Sequence, residues 1–255
     1  MACHAPTGWR LLVDAAAQPG AANMSVDQAL LDDAARSGTA TLRLYRWDPP
    51  CLSFGRNEPA AGYYDRAEIQ RLGIDVVRRP TGGRAVWHEH EVTYAVAAPI
   101  ERFRSLREAY CAIHERIAAG LRALGVETSV APTRPSAFPP TRPGSCFDTA
   151  VGGEILVRGR KLVGSAQVRQ GSALLQHGSI LLAGSQEMIR AVSRQPSAVS
   201  GATTLSAELG RPVMFEEVAE AIVRAWGESP PCAALDRPTP PSTAAFRSPA
   251  WTWRH

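Results

Sequence analysis

The sequence predicts an α+β fold: a largely antiparallel central sheet flanked by helices. Three observations predict it. Strand-like stretches outnumber helical ones, short turns join most of them, and the helices announce their own ends with capping residues instead of alternating regularly with strands. At 255 residues, with 45% hydrophobic and 20% charged side chains, the chain has the apolar material for one substantial core.

The first strand signal is at 9–13, and the second at 41–47, where Leu42 and Leu44 alternate with Arg43 and Tyr45. Between them, Ser25 with Gln28 reads as a capping box opening a helix over 25–37, stopped by Gly38. Asp65 with Glu68 opens a short helix ended by Gly73. Strands follow at 74–79 and 85–98. Ser105 with Glu108 then opens a helix over 105–124, in which Leu106, Tyr110, Ile113, Ile117, Leu121 and Leu124 recur at helical spacing and mark the face laid on a sheet. His114 adjoins that stripe and reads as structural. Further strands are expected at 154–158, 161–168 and 173–182, and a last helix at 215–226, carrying Phe215, Val218, Ile222 and Val223 and ending at Gly227. Residues 131–145 hold five prolines and read as a long loop leading to Cys146. The organisation is therefore a domain over 1–228 and a proline-rich, loosely held C-terminal tail over 229–255.

No apolar run reaches the roughly 18 residues of a membrane span, and the N-terminus lacks the pattern of a signal peptide, so a cytoplasmic location is expected. The cysteines at 3, 51, 111, 146 and 232 have no CxxC spacing, which argues against a disulfide framework or structural zinc. Cys51 and Cys111 read as small core residues, and Cys3 and Cys232 as terminal ones. The net charge of +4 is scattered and unaccompanied by aromatic ladders, so it suggests an acidic partner more than nucleic acid.

Of 28 basic residues, 27 are arginine, and Lys161 is the only lysine. Arginine keeps its planar charge in almost any setting, whereas lysine offers a compact amine that can change protonation on burial. A sole lysine in an arginine-rich chain marks a position where a guanidinium fails.

Three stretches carry candidate chemistry. The run Arg78-Arg79-Pro80-Thr81-Gly82-Gly83-Arg84 joins two strands through a Gly-Gly turn, which lets a ligand approach backbone N–H groups between flanking arginines; taken alone, it reads first as a tight β-turn. The run Gly159 to Arg169 holds Lys161 followed by the small residues Gly164, Ser165 and Ala166, which leave room for a thin ligand. Gly144-Ser145-Cys146-Phe147-Asp148 leaves the proline-rich loop, and Cys146 is a nucleophile if a positive group supports its thiolate. His88-Glu89-His90-Glu91 has a metal-like look, but no third ligand is evident and no metal is expected; it reads as a hairpin turn with His88 near the site. A Cys146–His88–Asp148 hydrolase arrangement is a lesser alternative.

Together these stretches, with Asn23-Met24-Ser25-Val26-Asp27, Leu42–Trp47, Leu52-Ser53-Phe54-Gly55, Gln176-His177-Gly178-Ser179 and Thr203-Thr204-Leu205, resemble the biotin/lipoyl protein ligase superfamily over about residues 9–228. The closer likeness is to its cysteine-type octanoyltransferases, which place a cysteine just upstream of the lysine strand. The resemblance implies a biotin/lipoyl ligase-type catalytic domain in which Cys146 and Lys161 are catalytic. It also implies that Arg78, Arg79, Thr81, Gly82, Gly83, His88, Gly164, Ser165, Ala166, His177 and Gly178 line the substrate site. The implied reaction moves an octanoyl group from acyl carrier protein to a lysine of a lipoyl domain or the glycine-cleavage H protein, with no cofactor and no membrane or nucleic-acid partner. Two alternatives stand beside it: an ATP-dependent lipoate–protein ligase, which would need ATP and Mg, and a non-catalytic acyl- or carrier-binding module.

Overall fold

A computed structural model describes residues 8–131, 145–148, 152–195, 201–227 and 242–254. The expected proline-rich loop therefore lies almost wholly outside the described residues, as do Cys3 and Cys232.

The chain runs through β1 (Trp9–Val13), α1 (Gly20–Ser37), β2 (Ala40–Tyr45), β3 (Cys51–Phe54), α2 (Ala60–Tyr63), α3 (Arg66–Arg71), β4 (Asp75–Arg78), β5 (Val86–His88) and β6 (Glu91–Pro99). It continues through α4 (Leu106–Ala123), β7 (Thr128–Val130), β8 (Ile155–Val157), β9 (Arg160–Gln170), β10 (Ala173–Leu181), α5 (Glu187–Ala191), α6 (Leu205–Leu209) and α7 (Phe215–Trp226). Two short helices close the described chain, α8 (Ala244–Arg247) and α9 (Pro249–Thr252).

Seven strands form one sheet in the order β1-β2-β6-β10-β9-β8-β7, antiparallel except where β1 meets β2. Alternation along these strands divides the sheet cleanly. Leu42, Leu44, Val92, Tyr94, Val96, Leu174, Ile180 and Val163 face α4 and α7, where they join Ile113, Ile117, Leu121, Val218 and Ile222 in the larger core. The other face carries Tyr45, Ala95, Ala97, Ala173 and Leu175, which receive Met24, Leu30 and Leu31 of α1. The alanines on β6 are what let the helix sit close. A small sheet, in the order β4-β3-β5, is built from the segment that connects β2 to β6 and has a core of its own around Phe54, Tyr64 and Trp87.

Several expectations change. Helix α1 begins at Gly20 behind Pro19, and Ser25 is an interior residue whose hydroxyl donates to the Ala21 carbonyl. A polar residue one turn inside a helix imitates a cap in sequence because both uses satisfy a backbone group. The expected strand at 85–98 is two strands in different sheets: β5 pairs with β3, whereas β6 pairs with β2 and β10. The turn between them passes the chain from one sheet to the other and is not a hairpin. Cys111 is exposed on the outer side of α4, away from the apolar stripe, whereas Cys51 is buried.

The largest difference concerns the C-terminus. Residues 242–254 are docked: Phe246 is buried against α1's core, and Trp253 stacks edge-on to Phe54. The clasp is Arg78. Its guanidinium donates to the carbonyls of Gly55, Arg56 and Glu58 on one side and to those of Trp251, Thr252 and Arg254 on the other. Burial and the nearby Arg254 push Arg78 down to about 10. Proline-rich composition suggested a loose tail because nothing in it shows what the far end meets.

Candidate active site

The site is built on the α1-facing side of the large sheet. Register places Tyr45 beside Thr93, Thr93 beside Ser179, Ser179 beside Gly164 and His177 beside Ala166, so one row crosses β2, β6, β10 and β9. With Met24, Trp47, Arg79, Val86, His88 and Cys146, these residues line a slot of about 310 Å³, its open mouth included. The row ends in small residues on β9, and the nucleophile candidate stands there. The main chain of Cys146 is held by its N–H to the Ala85 carbonyl, which fixes residues 145–147 against the start of β5.

Lys161 projects to the same place. Its Nζ is 3.9 Å from Cys146 Sγ, donates to the Cys146 carbonyl at 2.5 Å, and forms an ion pair with Glu154 at 2.6 Å. It also stands 5.3 Å from the centre of the Phe147 ring. Both members of the pair are almost fully buried, with side-chain exposures of 2% and 1%. A lysine ammonium has three donors. Two are spent on the carbonyl and the carboxylate, and the third is directed at the Cys146 sulfur. Glu154 is the residue that sequence reasoning missed; a lone glutamate directly after a Gly-Gly pair carries no signal without the fold. The loop bearing it is tied down by His114, whose Nδ1–H donates to the Gly153 carbonyl at 2.5 Å. Burial holds His114 down at about 4, so it is neutral and its Nε2 accepts from Ser165 and Tyr94.

The Gly-Gly loop covers the slot from above. Arg79 is buried beneath it and donates to Ser53 O, Ser53 Oγ, Gly82 O and Arg84 O. Gly83 has φ +87°, a conformation a side chain resists, and a Cβ on Gly55 would lie 1.8 Å from the Gly83 carbonyl oxygen, so the two loops touch through backbone alone. Thr81 is also buried and meets His177 Nε2 at 2.6 Å. His177 Nδ1 in turn donates to Asp27, which also accepts from Arg43 and Tyr45. Burial lowers His177 below its ordinary value. Burial alone would raise Asp27, but the bonds from His177 and Arg43 outweigh it and hold the carboxyl low.

The expected substrate-site residues therefore separate. His88, Arg79, Gly164, Ser165, Ala166, His177 and Gly178 line the slot with Cys146. Gly83 stands at its mouth next to Cys146, whereas Thr81 and Gly82 act behind it on His177 and Arg79. Arg78 faces away, its guanidinium used up by the C-terminal clasp; adjacent residues on a strand point to opposite sides. The metal-like reading of 88–91 dissolves for the same reason. His88 is buried, stacked on Trp47 and bonded to Ser53 and Glu91, whereas His90 is exposed beside Glu89. With both of its nitrogens engaged, His88 does not pair with Cys146.

The model of the lipoyl protein ligase A/B catalytic domain matches residues 19–227. The chain belongs to this family. It is 38% identical over 232 residues to an Octanoyltransferase LipM of Moorella thermoacetica, covering 86% of this chain and 85% of that protein. It is 40% identical over 239 residues to the Octanoyltransferase LipM of Kyrpidia tusciae, covering 87% and 86%. On this family membership and these relatives, it is an acyltransferase. A lipoate-protein ligase A crystallised with ATP shares the fold, with a TM-score of 0.70 and 23% identity over 86% of this chain and 83% of that one. Among the described residues no helix is long and apolar enough to cross a membrane.

Proposed function

We propose that this enzyme transfers an octanoyl group from acyl carrier protein to a lysine of a lipoyl domain or of the H protein, through a thioester on Cys146. The observation that carries the reading is the placement of Lys161 Nζ 3.9 Å from Cys146 Sγ, a residue that lines the slot together with Gly164, Ser165 and Ala166. The choice of an octanoyl group follows the names of the relatives.

In the first half, the sulfur of Cys146 attacks the carbonyl carbon of the carrier's thioester. The bond from that carbon to the carrier sulfur breaks, and the carrier leaves as a thiol with the proton that Cys146 gave up. In the second half, the amine of the acceptor lysine attacks the enzyme thioester, the carbon–sulfur bond to Cys146 breaks, and a proton from the amine returns to the sulfur. Exchange between thioesters is nearly isoenergetic and amide formation is downhill, so the cycle needs no ATP. The N–H of Lys161 that points at the Cys146 sulfur serves the oxyanion that forms in both halves, a donor of the kind often worth about 3 kcal/mol. Having Glu154 and a carbonyl as neighbours suits an ammonium in that role better than a neutral base.

The test is mass spectrometry after incubation with octanoyl-acyl carrier protein and no ATP. One octanoyl group on Cys146, discharged on adding a lipoyl domain, is expected. An adenylate formed from free lipoate and ATP, with Cys146 unmodified, would instead make the enzyme a ligase. Undiminished acyl transfer after Cys146→Ser would remove the covalent route.

A further inference from the structure

The ion pair that holds Lys161 raises a question of charge. Glu154 stands 2.6 Å from its Nζ, so at the sulfur the two charges largely cancel, and lysine acts there as a hydrogen-bond donor more than as a net cation. Arg79 is different. It is buried, it forms no ion pair among the described residues, and its hydrogen bonds go to three carbonyls and a serine hydroxyl, all neutral. Its Nη2 lies 3.3 Å, and Cys146 Sγ 3.8 Å, from the point where Gly83 would carry a Cβ. Guanidinium and thiol thus face each other across a residue with no side chain, and both line the slot. Burial pulls Arg79 down, and Cys146 is the foremost group opposing that pull, ahead of Glu58.

We infer that Arg79 is the counter-cation of the Cys146 thiolate, while Lys161 and Glu154 form a charge-neutral unit that positions one N–H at the reacting atoms. The inference rests on the reading of Cys146 as the acyl-bearing nucleophile. Among the described residues, the other charged or titratable groups near this sulfur are Arg84 and Asp148, which form a 4.0 Å pair, Tyr110 of α4, and His88, His177 and Tyr45, which line the slot. Glu58, the carboxylate that acts most on Arg79, is committed to Tyr64, Gly55 and Ala85.

The experiment is alkylation of Cys146 by iodoacetamide as a function of pH, followed by mass spectrometry on the full chain, with exposed Cys111 as internal reference. In Arg79→Gln the pH of half-maximal alkylation moves up by about one unit. In Glu154→Gln it moves down, because the charge of Lys161 is no longer offset. A midpoint unmoved in R79Q, or raised in E154Q, overturns the assignment. Should R79Q fail to fold, since Arg79 also anchors the Gly-Gly loop, Arg79→Met, which keeps the apolar stem and removes the charge, is read in the same way: a raised midpoint supports the assignment and an unmoved one overturns it. Alkylation needs no carrier or acceptor protein. If no acyl-enzyme forms while the midpoints move as stated, the proposed reaction fails and the pairing of Arg79 with Cys146 stands.

Discussion

Lys161 donates to the main-chain carbonyl of Cys146 while its Nζ stands 3.9 Å from the sulfur of the same residue. One side chain thus fixes the backbone of the nucleophile candidate and addresses its reactive atom. A guanidinium is wider and planar, and it cannot serve a carbonyl, the Glu154 carboxylate and the slot from a single nitrogen. Lys161→Arg is therefore expected to lower kcat by about 100-fold or more, with the far-UV spectrum and melting temperature close to those of the parent. Near-normal turnover in a folded K161R would remove the lysine from the reaction and leave its solitude among 27 arginines unexplained.

Gly55 and Gly83 meet through backbone atoms, and this contact sets the height of the loop over the slot. A methyl group at 55 would stand 1.8 Å from the Gly83 carbonyl oxygen, which belongs to main chain and cannot swing aside. Gly55→Ala should cost about 1–3 kcal/mol in urea unfolding. Because the displaced loop carries the contacts of Arg79 and Thr81, acyl transfer should fall further than stability does. Full activity in G55A would mean that the loop moves without consequence for the slot.

Much of this was legible in the sequence, and what was not has a physical reason. Ser105 and Asp65 cap their helices as read, because a cap is a local bargain between a side chain and the N–H groups two or three residues on. The Gly-Gly loop, the small residues at 164–166 and the convergence of Cys146 with Lys161 could be anticipated through resemblance. Residue spacing placed His114 beside the apolar stripe of its helix but did not show its partner, and it gave no hint of Glu154 or Asp27; the work of Glu154, His114 and Asp27 depends on partners 7, 39 and 150 residues away. Arg78 and Arg79 were indistinguishable in sequence. Only the pairing of β4 with β3 sends one guanidinium to the C-terminal clasp and the other beneath the loop.

The Arg78 clasp joins the C-terminal segment to the small sheet through six carbonyls, and Trp251 returns a bond from its indole N–H to the Arg78 carbonyl at 3.0 Å. Arg78→Ala should destabilise the protein by about 3 kcal/mol, since several buried carbonyls lose their donor together. Trp251→Ala should cost about 2 kcal/mol. As the two residues hold the same segment, the double variant should fall short of the sum by about 1 kcal/mol. Strict additivity in a double-mutant cycle by chemical denaturation would show that the segment is held elsewhere.

His114 ties α4 to the Gly153 carbonyl and is neutral in the fold, with burial holding it down at about 4 against an ordinary value of 6.5. Between these two values the unfolded chain binds a proton that the folded one refuses. The stability His114 contributes is therefore complete above pH 6.5 and is lost progressively as pH falls toward 4. At pH 4.5 the loss attributable to this residue should reach about 2–3 kcal/mol relative to pH 7. His114→Gln removes the titration while keeping a donor for Gly153. The variant should be less stable than the parent at pH 7, yet its unfolding free energy should decline less steeply between pH 7 and 4.5. Parallel declines in the two proteins would place the acid sensitivity on other groups, and would mean that His114 is already charged where it sits.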